Sequence, residues 1–248
     1  MGARVSRLLS WIIRSVWSFA RSNAEIRADS KASRRFARFG VGSAIAFPTA
    51  TLYGEPWIEI GVHTVLGADM TLAAGMGPDY DLGEGTVVRI GSGCAIGRGS
   101  HIVAHKSVDI GDHVYTGPYV YITDQNHSYT NTDIPVGLQW PVDDPVSIGD
   151  GTWVGANAVI LPGVHLGRNC VVAAGTVVRP GRYPDHSVIA GVPGKVVREY
   201  DPELGWEPPM RETGTPTRVP TPAAGPTPDH GLPAEPPEPG SSTRFPPA

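Results

Sequence analysis

Aliphatic side chains recur at every sixth residue through the middle of this 248-residue chain. Ile60, Leu66 and Leu72 form one set, and Ile90, Ile96 and Ile102 the next. Ile110, Thr116 and Ile122 follow, and then Ile148, Val154, Ile160, Leu166, Val172 and Val178 run without a gap. A period of six fits neither the 3.6 of a helix nor the 2.0 of a plain alternating strand. It fits a β-helix, in which each unit is one short strand and one tight turn, and three units close a triangular coil of about 18 residues. The aliphatic side chain then points inward and stacks on its counterpart one coil away. Glycine often follows it, a choice that corner geometry explains by backbone freedom. Four residues after the aliphatic the side chain is usually small or slim, as at Thr64, Cys94, Ser100, Val114, Val120, Thr152, Ala158, Val164, Cys170 and Thr176. Such residues fit a narrow prism interior, so both cysteines read as buried apolar side chains and not as nucleophiles.

Composition supports strands and turns over a helical bundle, with 31 glycines, 25 prolines and only 18% charged residues. The net charge of −4 suggests no nucleic-acid partner, but it is unevenly placed. Residues 1–39 hold nine Lys/Arg against Glu25 and Asp29, a local +7, which leaves −11 on the rest. Leu8, Leu9, Ile12, Ile13, Val16, Trp17 and Ala20 recur there at three- and four-residue spacing, so 1–39 reads as a basic amphipathic helical segment. Its apolar run is too short to span a bilayer. Two readings stand: the helix packs on the end of the main domain and shields it, or it makes peripheral contact with an anionic membrane. Residues 40–200 form the repeat domain. Residues 201–248 carry 14 prolines and almost no aliphatic residues, and read as a disordered tail. Two cysteines without metal-ligand spacing favour a reducing compartment, the cytoplasm, at the inner face of the membrane if the helix docks there.

The period breaks in three places, and a solenoid's function lies where it departs from its repeat. From Leu72 to Ile90 the spacing is 18, one whole coil by count, without clear units. From Ile102 to Ile110 it is eight, two residues extra around His105. From Ile122 to Ile148 it is 26, and that stretch reads as a projecting loop holding His127 and Trp140. Stacking puts residue 105 under residue 125, so His105 and the Asp124–His127 segment share one corner. Two histidines, an aspartate and an asparagine at a loop mouth make a candidate site.

The stretches "TDQNHSY", "VSIGDGTWVGANAVILPGVHLGRNCVVAAGTVV" and "IAGVPGKVVREY" resemble the hexapeptide-repeat acyltransferases, nearest the sugar O-acetyltransferases that modify maltose, galactosides, nodulation factors and polysaccharides. The resemblance covers residues 85–200 well and 40–84 loosely. It implies an all-β fold, a left-handed parallel β-helix, assembled as a homotrimer with sites between subunits. It implies acetyl-CoA or another acyl-CoA as co-substrate, no metal, and a sugar or glycan hydroxyl as acceptor. The family's catalytic histidine falls on His127, and imidazole suits a base that must deprotonate an alcohol near neutral pH. Resemblance carries the pantetheine contacts to the backbone at Ala156 and Ala174, with Trp153 beside them, and the phosphate contacts to Arg179, Lys195 and Arg198. The acceptor side departs from the family: its asparagine and aspartate align with about Gly97 and His105. Asp124, Asn126, His105 and Trp140 are the acceptor-binding candidates, with Asp133 and Gln139 further along the loop. A γ-type carbonic anhydrase shares the fold but needs a histidine pair five apart, and Thr132 stands five after His127. A non-catalytic β-helix scaffold is the other alternative.

Overall fold

The computed structural model of the chain describes residues 3–210. Its centre is a prism whose walls are three sheets, parallel throughout except at the two ends of the second. The first face stacks seven strands, from Arg38–Phe39 through Ile58–Ile60, Val88–Ile90, Val108–Ile110, Val146–Ile148 and Val164–Leu166 to Gly181–Tyr183. The second has ten strands and the third six. Register follows the sequence period. Ile60 pairs with Ile90, Ile90 with Ile110, Ile110 with Ile148 and Ile148 with Leu166 on the first face. Leu72, Ile102, Ile122, Ile160 and Val178 align likewise on the third. These aliphatic columns are buried, each fully buried side chain contributing about 1.5–3 kcal/mol relative to exposure. Thr116, the polar exception, accepts a hydrogen bond at Oγ1 from Gly97 N at 2.9 Å. The ten small residues are all buried as well. Burial pushes the thiols of Cys94 and Cys170 above their ordinary 9.0, so both stay protonated near neutral pH.

Where glycine follows the aliphatic, it is there for a different reason than corner freedom. Gly91 lies outside the left-handed region, but a Cβ on it would overlap the Gly111 carbonyl and the Asp112 carboxylate of the next coil. The left-handed corner comes two residues later, at Gly93 (φ 67°), and its equivalents include His63, His113 and Asn169.

The three breaks share one edge. Leu72, Ile102 and Ile122 lie on the third face, and Ile90, Ile110 and Ile148 are the next inward residues on the first. Each break is therefore an insertion between neighbouring units. The spacing of 18 from Leu72 to Ile90 is not a coil, as counting suggested, but a unit with 12 extra residues. The other two hold two and 20 extra residues at the same edge.

Both ends differ from the sequence reading. The helix spans Ala3–Ala24 only. Ile26–Arg27 then pairs antiparallel with Ala44–Ile45, Ala32–Arg35 forms a 3₁₀ turn, and Arg38–Phe39 opens the first face. Two-residue strands leave no periodicity to read, so this part of 1–39 looked like more helix. Nor does the helix bury its apolar side on the prism, since Leu8, Ile13, Val16 and Phe19 are all exposed. At the other end, Lys195–Asp201 and Gly205–Glu207 form antiparallel strands that reach into the stretch assigned to the tail. Tyr200 and Trp206 meet edge-on there at 5.5 Å between ring centroids. The rest of the expected tail, 211–248, lies outside the described residues.

Candidate active site

The longest insertion leaves the third face at Asp124 and returns as a small hairpin. Gln125–His127 pairs antiparallel with Pro141–Asp143, with Gln125 opposite Asp143 and His127 opposite Pro141. Between them the chain is tied by Gln139, whose Nε2 donates to Asn131 O at 2.8 Å and Ile134 O at 2.9 Å. A cavity of about 430 Å³ lies against this hairpin. His105, Gln125, His127, Leu138 and Trp140 line it, and Tyr53 and Met76 complete the wall from the preceding coils. The three stacked insertions thus build one pocket, and His105 and His127 face it together, as the sequence stacking predicted.

The two histidines are held differently. His127 is exposed, and no hydrogen bond to its ring is present among the described residues. His105 is largely buried, with its side chain 12% exposed and Nδ1 3.3 Å from Asp143 Oδ1. That contact is within ion-pair distance only, and the buried carboxylate oxygen has no hydrogen-bond partner among the described residues.

Asp124 does not bind an acceptor. It is fully buried, and its carboxylate accepts from three backbone amides: His105 N at 2.9 Å, Lys106 N at 2.7 Å and Ser107 N at 2.6 Å. It fixes the turn that presents His105, which makes it a scaffold for the site. Asn126 also departs from expectation. Alternation along the strand sends Gln125 and His127 to the cavity side and leaves Asn126 out of the lining. The two-residue period therefore points to Gln125, which the sequence reading missed. Asp143 was missed too, because only the hairpin pairing brings it to His105. Trp140 lines the cavity with 76% of its surface exposed, an open ring face at the mouth. Gln139 is occupied in tying the loop.

The residues assigned to the acyl donor lie elsewhere. Trp153, half exposed, sits on the second face between Tyr115 and Val171. Ala156 and Ala174 stand one coil apart, where the second face passes to the third, and their backbone N–H groups make no hydrogen bond among the described residues. Lys195 and Arg198 lie on the antiparallel strand that closes the second face, and Arg179 follows the last strand of the third. Arg198 Nε is buried and unpartnered, a donor available to a ligand. None of these residues lines the histidine cavity. Among the described residues no group of three or more His, Cys, Asp or Glu side chains gathers as a metal site requires.

Comparison with known proteins agrees with the repeat. Residues 145–180 match the family model described as the hexapeptide repeat of succinyl-transferase. The chain is 39% identical over 115 residues to a putative lipopolysaccharide biosynthesis O-acetyl transferase, WbbJ, of Escherichia coli, covering 43% of this chain and 58% of that one. It is 36% identical over 117 residues to the galactoside O-acetyltransferase of Escherichia coli, covering 45% and 56%. A probable acetyltransferase of Mycobacterium tuberculosis, Rv3034c, is 33% identical over 150 residues, covering 60% and 46%. The chain thus spans about half the length of the curated relatives it matches. Among solved structures, a variant of AntD, an N-acyltransferase from Bacillus cereus in complex with dTDP-4-amino-4,6-dideoxyglucose and coenzyme A, superposes with a TM-score of 0.60 at 17% identity, covering 73% of this chain and 93% of that one. The fold is accordingly a left-handed parallel β-helix.

Proposed function

We propose that this chain is a hexapeptide-repeat acyltransferase, an acyl-CoA-dependent O-acyltransferase and most simply an O-acetyltransferase, acting on a hydroxyl of a sugar, oligosaccharide or polysaccharide. The observation that carries the proposal is the pair His105 and His127 at one cavity beside a projecting loop. His127, with no hydrogen bond on its ring, is the general base: it takes the acceptor hydroxyl's proton as that oxygen attacks, and gives it up to the departing thiol. His105, largely buried beside Asp143, meets a second acceptor hydroxyl and holds the sugar in register. Trp140 offers an exposed ring for a pyranose face. Acyl-CoA would supply the activated thioester. The free amides of Ala156 and Ala174 suit its amide-bearing arm, and Arg179, Lys195 and the unpartnered Arg198 suit its phosphates.

The assembly belongs to the same proposal. The donor-binding residues and the histidine cavity are separate on one chain, so a neighbouring copy in a homotrimer would bring one chain's donor groove to another's loop. Buried, protonated thiols are compatible with a cytoplasmic home. The test is thiol release from acetyl-CoA and longer acyl-CoAs over a panel of sugars and glycans. His127→Ala should keep the fold and lose roughly 10²–10⁴ in rate. His105→Ala should chiefly raise the KM for acceptor. Near-normal turnover in His127→Ala, with loss in His105→Ala, would reverse the two roles. No transfer from any acyl-CoA would favour a non-catalytic scaffold.

A further inference from the structure

The N-terminal helix turns the wrong side outward for a packing element. Projected at 100° per residue, Leu8, Leu9, Ile12, Ile13, Val16 and Phe19 fall within an arc of about 140°. All six are exposed, Ile13 to 66% and Phe19 to 70%. The opposite side faces the prism. Arg14, Ser18 and Arg21 look onto a cleft of about 380 Å³ between the helix and the start of the second face, closed by Arg27 and Phe47. Trp17 reaches across it to Phe47, with ring centroids 6.0 Å apart. The helix therefore meets the prism through Trp17, turns its polar side toward it, and presents its apolar side to whatever lies beyond.

We propose that this face docks on an anionic lipid bilayer surface, with the helix lying in the interface plane and the prism standing above it. Charge complementarity selects this occupant. Arg7, Arg14 and Arg21 are seven residues apart and form one stripe, and no acidic residue stands between Ala3 and Ala24. An identical helix of a second copy would add the same uncompensated positive charge, whereas an anionic surface offsets the charge of the whole helix, an attraction that reaches roughly a Debye length, about 8 Å. The indole of Trp11, 65% exposed and just outside the apolar arc, suits the headgroup boundary. No helix among the described residues is long and apolar enough to cross a membrane, so the contact is a surface one. The inference is independent of the acyl-transfer reading.

The experiment is vesicle sedimentation of the full chain against phosphatidylcholine alone and phosphatidylcholine mixed with phosphatidylserine. Binding should require the anionic lipid and weaken as salt is raised. The double substitution Ile13→Glu with Phe19→Glu touches only exposed side chains and should lower the partition coefficient at least about tenfold, with thermal unfolding unchanged. Arg14→Glu with Arg21→Glu should abolish the preference for anionic vesicles. No binding by the unmodified chain, or undiminished binding after the Ile13/Phe19 change, overturns the proposal. So does a loss of oligomer size in lipid-free buffer on that change, which would make the face an interface between copies.

Discussion

Asp124 is the residue on which the candidate site most depends, although it touches no ligand. Three backbone N–H groups converge on a fully buried carboxylate and lock the turn at 105–107. Asp124→Ala would strand those three donors away from water and lower stability by about 2–4 kcal/mol. It would also release His105 from its place opposite Asp143. Asp124→Asn should recover part of the loss, because the amide oxygen still accepts. Urea unfolding of the two variants, with acyl transfer measured in parallel, checks this. Unaltered stability in Asp124→Ala would show that the turn holds without its anchor.

Among the elements, the corner of the β-helix separates two demands that look alike in sequence, since both are met by glycine. Gly91 needs space: its missing Cβ is where the next coil's Gly111 carbonyl passes. Gly175 needs conformation: its φ is 71°, and nothing lies within 4 Å of the position a Cβ would take. Gly91→Ala must therefore push one coil away from the next and should cost about 1–3 kcal/mol or more. Gly175→Ala bears only the left-handed penalty, about 1–2 kcal/mol. Thermal unfolding should show the larger drop in midpoint for Gly91→Ala. The reverse order would mean that the coils part easily. The aliphatic columns were legible in the sequence because period six has one structural solution, and the small residues followed because a prism has little room. The reason for each glycine was not legible, because close approach is set by the neighbouring coil. Asn126 was misplaced for a similar reason: reading the loop as irregular hid the strand whose alternation turns Gln125 inward and Asn126 away.

For the whole molecule, the question is how two half-sites become one. A mixture of His127→Ala and Arg198→Ala chains, co-refolded, tests the trimeric proposal directly. Sites pairing the intact loop of one chain with the intact donor groove of another would raise transfer at low acyl-CoA above that of either variant alone. No recovery in a mixture shown by light scattering to be trimeric would place both halves on one chain. The sequence put His105 and His127 at a shared corner from stacking arithmetic alone, and the cavity they line bears that out. It misjudged the spacing of 18 between Leu72 and Ile90, because an insertion of 12 in a six-residue unit mimics a coil. It also left open which side of the helix faces the prism, since an amphipathic pattern gives two faces without saying what meets each.

The stacking of all three insertions on one edge has a consequence for how such a protein can change. The strands on either side of each insertion are held in register by the coils above and below, Ile102 with Ile122 before the longest loop and Ile110 with Ile148 after it. A change in loop length at that edge therefore leaves the pairing of every other rung intact, and the entropy of closing a longer loop grows only with the logarithm of its length. The edge behaves as a tool rest on a fixed lathe. Different cutters can be mounted at 75–86, 104–107 or 124–145 while the spindle turns unchanged, so new acceptors can be tried by descent or by design without the fold having to be solved again.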